Sequence, residues 1–128
     1  NVQPVFCPKR PVPIGMEEVV NAELDRLLQL GAIEPVNYAQ WAAPILAIKK
    51  KNGKPRICVD FSTGLNRALE DDKHPFPLPE DMFNAMQGAK YFTTLDLADA
   101  YLQLPLDEES MKLVVINTHR GLSCAGTP

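Results

Sequence analysis

A mixed α/β (α+β) fold, antiparallel β-hairpins packed with two short helices, is what this sequence predicts. Three observations carry that expectation. Val20, Leu24, Leu27 and Leu28 recur at helical spacing and stop at Gly31. Two apolar runs flank Lys51-Asn52-Gly53-Lys54, and Asn-Gly between apolar runs is the strongest short-range hairpin signal because both positions accept positive φ. Tyr91, Phe92, Thr93, Thr94 and Leu95 then follow the helix-terminating Gly88 as an aromatic and β-branched run. The 128 residues are about one domain's length, and 45 % apolar with 23 % charged content is ordinary for a globular chain.

Taken in order, residues 1–15 carry Pro4, Pro8, Pro11 and Pro13, which cannot continue a helix. They read as a polyproline-like arm lying across a surface, with a disordered linker as the alternative. Residues 16–30 form an amphipathic helix, with Glu17 and Glu18 at its positive end. Residues 32–36 are a short extended segment, followed by a polar loop over 37–40 and then Trp41-Ala42-Ala43-Pro44. Residues 45–50 and 56–61 are the paired strands of the Asn-Gly hairpin. Residues 62–79 are loop-like, and Pro79 opens a second helix as its first residue, with Glu80 and Asp81 in the first turn and Gly88 ending it. Residues 91–96 are a strand, and 103–106 are extended. Residues 107–110 turn, residues 112–117 are another strand, and a turn at 118–121 should lead into a further strand, but only 122–128 follow, which leaves the strand entering the last hairpin without a partner.

The chemistry gathers in two places. Asp96 closes the apolar run 91–95, and Asp99 and Tyr101 follow it. A carboxylate held at a strand end suits a hard divalent cation that must also hold phosphate oxygens. The alternative is that Asp96 and Asp99 cap the next helical turn. Lys49, Lys50, Lys51, Lys54 and Arg56 form a block with no acid inside it, concentrated at the hairpin tip. A net charge of −3 counts against simple nucleic-acid coating, yet one cationic ridge on an acidic body fits phosphate binding at one place. Charges that merely blunt an edge strand are the alternative. His74 has no second histidine or cysteine at ligand spacing, and Cys7, Cys58 and Cys124 suggest neither a disulfide framework nor a zinc site. No run approaches a membrane span. The chain starts with Asn rather than Met, which reads as an excerpt or a processed piece.

Several separated blocks, in order, resemble the N-terminal part of a reverse transcriptase, in particular that of gypsy-type LTR retrotransposons. They are Glu23-Leu24-Asp25-Arg26-Leu27-Leu28 with Gly31-Ala32-Ile33-Glu34-Pro35, Trp41-Ala42-Ala43-Pro44, the run from Lys49 through Phe61, Leu65-Asn66, His74-Pro75-Phe76-Pro77-Leu78-Pro79, and Thr94-Leu95-Asp96-Leu97 with Ala100-Tyr101. The resemblance implies a right-hand polymerase, with 1–71 fingers-like, 72–104 a partial palm and 105–128 returning to the fingers. It implies an RNA-directed DNA polymerase that adds deoxynucleotides to a primer by two-metal phosphoryl transfer, using magnesium, with manganese as an alternative ion. Asp96 falls on the first catalytic, metal-binding aspartate, with Leu97 beside it in the metal assignment. Asp99 and Ala100 fall where backbone amides meet the incoming triphosphate, and Tyr101 falls on the aromatic gate against a 2′-hydroxyl.

On the fingers, Lys50 resembles the lysine at the γ-phosphate, with the choice among Lys49, Lys50 and Lys51 open by one position. Arg56 resembles the arginine that packs over the incoming base while reaching the α-phosphate. Lys49, Lys51, Lys54, Phe61 and Asn66 are the candidates for template contact. Implied partners are an RNA or DNA template–primer, deoxynucleoside triphosphates, and the C-terminal palm, thumb and ribonuclease H regions, with no membrane. The implied location is a cytoplasmic retroelement particle, with the nucleus as the alternative. The family's Tyr-x-Asp-Asp block does not occur in these residues, and 123–128 do not resemble the family. The fragment is therefore expected to lack activity alone. The competing expectation is a non-catalytic nucleic-acid- or protein-binding remnant.

Overall fold

Helical spacing becomes the helix α1, Glu17–Gln29, with Val20 and Leu24 buried on one face and Glu17 and Glu18 in its first turn. The computed structural model describes residues 2–49, 55–70 and 75–126. Gly31 ends the helix at φ +68°, a left-handed conformation natural to glycine. Its amide reaches the Leu28 carbonyl and that of Ala32 reaches Leu27, which turns the chain directly into the sheet.

The sheet has five strands: β1 (Ile33–Val36), β2 (Ala43–Lys49), β3 (Pro55–Val59), β4 (Ile116–Thr118) and β5 (Gly121–Ala125). Their order is β1-β5-β4-β2-β3. The Asn-Gly hairpin is present as the antiparallel pair β2–β3, running from Ile45 opposite Val59 to Lys49 opposite Pro55. Its tip, 50–54, lies outside the described residues. β2 runs parallel to β4, and every other pairing is antiparallel. α1 presses Val20 and Leu24 onto Ile33, Ile45 and Ile116, so one helix draws β1, β2 and β4 into a single core. Val12, Met16, Leu27, Leu28, Ala47, Ile57 and Val59 form its rim.

The N-terminal stretch is an arm, not a free linker. Phe6 bridges Ala42 in parallel, the Cys7 amide donates to the Ala42 carbonyl at 2.9 Å, and Asn117 Nδ2 donates to the Cys7 carbonyl at 3.0 Å. Arg10 then pairs with Asp60, just after β3, at 2.7 Å. The Ser62 hydroxyl and the Arg10 guanidinium together hold the Asp60 carboxyl below the usual aspartate range. A carboxylate with a depressed pKa stabilises the fold above its ordinary range and loses that contribution as pH falls through the folded value. Thermal melts of the protein and of Asp60→Asn should therefore lie apart at pH 7 and converge as pH is lowered below about 4, near the unperturbed aspartate value.

Four expectations are corrected. Residues 107–110 do not merely turn: Asp107 caps a third helix, α3 (Glu108–Leu113), its carboxylate accepting from the Ser110 amide at 2.7 Å. The strand expected over 112–117 is accordingly only β4, since residues up to 113 are helical. The last hairpin is complete: β5 pairs with β4 on one side and β1 on the other, Ile33 opposite Ala125. Residues 91–96 form no strand. No backbone hydrogen bond among the described residues involves 91–97, and Tyr91 and Leu95 are exposed. High β-propensity makes no strand without a neighbouring ladder, and none of the five strands lies alongside.

α2 (Pro79–Ala85) opens on Pro79 as expected and ends before Gly88. The whole of 75–109 is exposed, with Phe76, Phe83, Tyr91, Phe92 and Leu104 among its apolar side chains. The sheet body does not cover this stretch.

At the other end Gly126 is buried, its amide donating to the Ala32 carbonyl at 2.9 Å. A Cβ there would run into the Gly31 carbonyl oxygen. Gly126→Ala is expected to cost about 1–3 kcal/mol, read as a lower midpoint in urea with unchanged slope.

Candidate functional site

Strand alternation sets where the hairpin cations point. Ala47, Ile57 and Val59 pack toward α1, so the intervening Ile48 and Arg56, opposite each other in the ladder, project from the other face. Arg56 is exposed there, and Lys49 is exposed at the last described ladder position. Lys50, Lys51 and Lys54 lie outside the described residues. Phe61 is half-buried in a 3₁₀ turn (Phe61–Thr63) after β3. Asn66 is exposed in the next turn (Leu65–Arg67), whose Leu65 is buried.

The second group lies on an exposed turn. Asp96 has no hydrogen-bond or ion-pair partner among the described residues, and Leu97 beside it is exposed. Asp99 then adopts φ +49°, ψ +43°, and a 3₁₀ turn (Ala100–Gln103) follows. The Leu102 amide closes that turn on the Asp99 carbonyl at 2.8 Å, and Gln103 Nε2 ties back to the Ala98 carbonyl at 2.8 Å. Tyr101 is left 91 % exposed. Asp99 stands at the N-cap position of this turn, but its side chain makes no capping bond. Its carboxylate instead accepts from Arg26 Nη1 of α1 at 3.0 Å.

Arg26 is the residue that sequence reasoning missed. Its Nε and Nη2 grip both oxygens of Glu23 at 3.0 and 2.8 Å, one turn earlier on the same helix, while Nη1 reaches Asp99. Hydrogen bonds to Glu23, and then to Asp99, raise the pKa of the guanidinium further. The sequence shows Glu23 and Arg26 only as a helical i,i+3 pair. Nothing in it signals a partner 73 residues away.

The arrangement does not by itself complete a divalent-cation site. Among the described residues no group of three or more potential ligands occurs, Asp99 is turned to Arg26, and Asp96 has no partner. A hard cation takes about six oxygens. Phe6, Tyr38 and Leu122, with Pro4 and residues 37–40, line an open groove of about 540 Å³ that contains none of the sequence-predicted site residues. No helix of the described residues is long and apolar enough to cross a membrane.

No protein-family model matches the chain. It is similar to an uncharacterized protein of Caenorhabditis elegans, 56 % identical over 124 residues, which is 95 % of this chain and 10 % of that protein. Two Drosophila melanogaster relatives are retrovirus-related Pol polyproteins. That of transposon opus is 33 % identical over 92 % of this chain and 12 % of its own length, and that of transposon 412 is 30 % identical over 93 % and 10 %. The chain thus spans about a tenth of the curated relatives it matches. Among solved structures, the native prototype foamy virus protease–reverse transcriptase superposes with a TM-score of 0.80 at 22 % identity, covering 99 % of this chain and 17 % of the viral one. The same viral enzyme in complex with double-stranded DNA gives 0.74 at 14 % identity, over 98 % and 25 %. The chain belongs with the retrovirus-related transposon Pol polyproteins, of which it is a segment, and its fold matches part of the foamy virus protease–reverse transcriptase.

Proposed function

We propose that this chain supplies the fingers (1–71 and 105–128) and the first palm stretch (72–104) of an RNA-directed DNA polymerase. In that reaction the primer 3′-oxygen bonds to the α-phosphorus of a deoxynucleoside triphosphate and the bond to pyrophosphate breaks. The observation that carries the proposal is the turn after Asp96. A carboxylate with no partner among the described residues precedes a left-handed residue and a 3₁₀ turn that holds Tyr101 out to solvent. Asp96 is proposed as one carboxylate of the catalytic set, with magnesium (or manganese) as the ion. The Tyr-x-Asp-Asp block that would supply the further carboxylates does not occur in these residues, and the 128-residue chain alone is proposed to be inactive. Asp99 and Ala100 would offer backbone amides to the triphosphate, and Tyr101 would stack under the sugar and fill the place of a 2′-hydroxyl. Arg56, with Lys50 at the hairpin tip, would meet the phosphates, a task suited to a planar, permanently charged guanidinium. The likeness to a foamy virus enzyme in complex with double-stranded DNA supports a template–primer partner, and a cytoplasmic retroelement particle is the proposed location.

The test replaces the matching stretch of the transposon 412 Pol polyprotein with residues 2–126 of this chain. Arg56→Ala in that chimaera should raise the KM for deoxynucleotide roughly 10- to 100-fold, the value of one or two charge-assisted hydrogen bonds, and leave template–primer affinity within about twofold. An unchanged KM would remove Arg56 from the nucleotide site. The non-catalytic remnant predicts the opposite pattern, binding that falls steeply with salt and owes nothing to Asp96.

A further inference from the structure

We propose that Arg26 is a positioning residue for the nucleotide site: anchored by Glu23 on its own helix, it grips the Asp99 carboxylate and sets the turn that presents Asp96, Ala100 and Tyr101. The nucleotide role rests on the polymerase reading above, while the grip itself stands on geometry.

Among the described residues, Asp99 is the non-glycine residue with positive φ. Aspartate tolerates the left-handed region better than most side chains, but such a conformation persists only where its surroundings over-determine it. Two contacts do so here. One is local, the Leu102 amide on the Asp99 carbonyl. The other comes from α1: Arg26 Nη1 on Asp99 Oδ2 at 3.0 Å. Among the described residues this is also the side-chain hydrogen bond that ties the exposed stretch 75–109 to the sheet body.

Arg26 is prepared for this role before Asp99 arrives. Glu23 takes Nε and Nη2 in a two-pronged pair at 3.0 and 2.8 Å, which orients the planar guanidinium and leaves Nη1 facing outward. α1 is fixed in turn by Val20 and Leu24 in the core. The chain of support therefore runs from core to helix, from helix to guanidinium, and from guanidinium to the Asp99 carboxylate of the proposed active-site turn. A lysine at 26 offers a point charge and cannot hold two carboxylates in this planar fork.

Two measurements test this. In the 128-residue chain, amide hydrogen exchange at Leu102 should speed up about tenfold in Arg26→Gln and in Asp99→Asn. The double variant should go no further, because the two residues act as one unit. Arg26→Lys should recover only part of the protection, and Leu24 in α1 should keep its own. Unchanged exchange at Leu102, or equal acceleration at Leu102 and Leu24, overturns the grip. In the chimaera, Arg26→Gln should raise the deoxynucleotide KM about tenfold with template–primer affinity unchanged, and a parallel loss of both overturns the nucleotide role. Extension that survives Asp96→Ala overturns the polymerase reading and with it that role, leaving the grip to be judged by exchange alone.

Discussion

Asp96→Ala is expected to abolish primer extension by the chimaera, by roughly 10³-fold or more, the scale seen when a group acting directly on developing charge is removed. The same substitution should leave the melting temperature unchanged. Asp96 sits in the unpaired stretch 91–97, exposed and without a hydrogen-bond or ion-pair partner among the described residues, so its removal deletes no packing and breaks no network. An acid retained for structure would behave in reverse, costing stability first and activity through it. The pair of readouts, extension rate and melting temperature on one preparation, separates the two. A variant that melts early, or one that still extends, takes Asp96 out of the catalytic set.

The largest effect on stability is expected at Leu24. It is 3 % exposed and, with Val20, joins α1 to Ile33, Ile45 and Ile116 across three strands. Truncation to alanine removes buried methyl groups and leaves a cavity among the side chains of Val20, Ile33, Ile45 and Ile116, which are anchored on one helix and three strands. The expected cost is about 2–5 kcal/mol. In a domain whose total stability is of order 5–15 kcal/mol, the melting temperature should fall by roughly 10 °C or more. Leu95→Ala provides the comparison: the same chemical change at a side chain 85 % exposed should leave the midpoint unmoved. A small effect at Leu24, or equal effects at both positions, would contradict the assignment of the core to the α1–sheet interface.

What could be read from the sequence was local. The period of Val20, Leu24, Leu27 and Leu28 and the stop at Gly31 depend on a few adjacent residues, and α1 forms as they dictate. The Asn-Gly hairpin is equally local, and its flanking segments pair as β2 and β3, from Ile45 opposite Val59 to Lys49 opposite Pro55. The errors came where two local signals compete or where the partner is distant. Val114, Val115 and Ile116 carry strand propensity, but Asp107 with Glu108 and Glu109 starts a helix first, and only the end of the run is left for β4. Residues 91–96 have the composition of a strand and lack a neighbouring ladder among the described residues.

The last hairpin differs from the expectation for a related reason. β5 finds its second partner in β1, which lies about ninety positions back along the chain, Ile33 opposite Ala125. The order of motifs identified Asp96, Asp99 and Tyr101 as candidates, because motif order is a property of sequence. The tie from Arg26 to Asp99 is a property of the folded chain, and no spacing rule contains it.

Magnesium-dependent primer extension by the purified chimaera carrying residues 2–126 is the most direct measurement of the central claim. The expected result is extension within about tenfold of the parental polyprotein, a change of under 1.4 kcal/mol in the barrier, together with no extension by the 128-residue chain alone. A chimaera that folds and holds template–primer yet adds no nucleotide would contradict the claim, as would extension by the isolated chain.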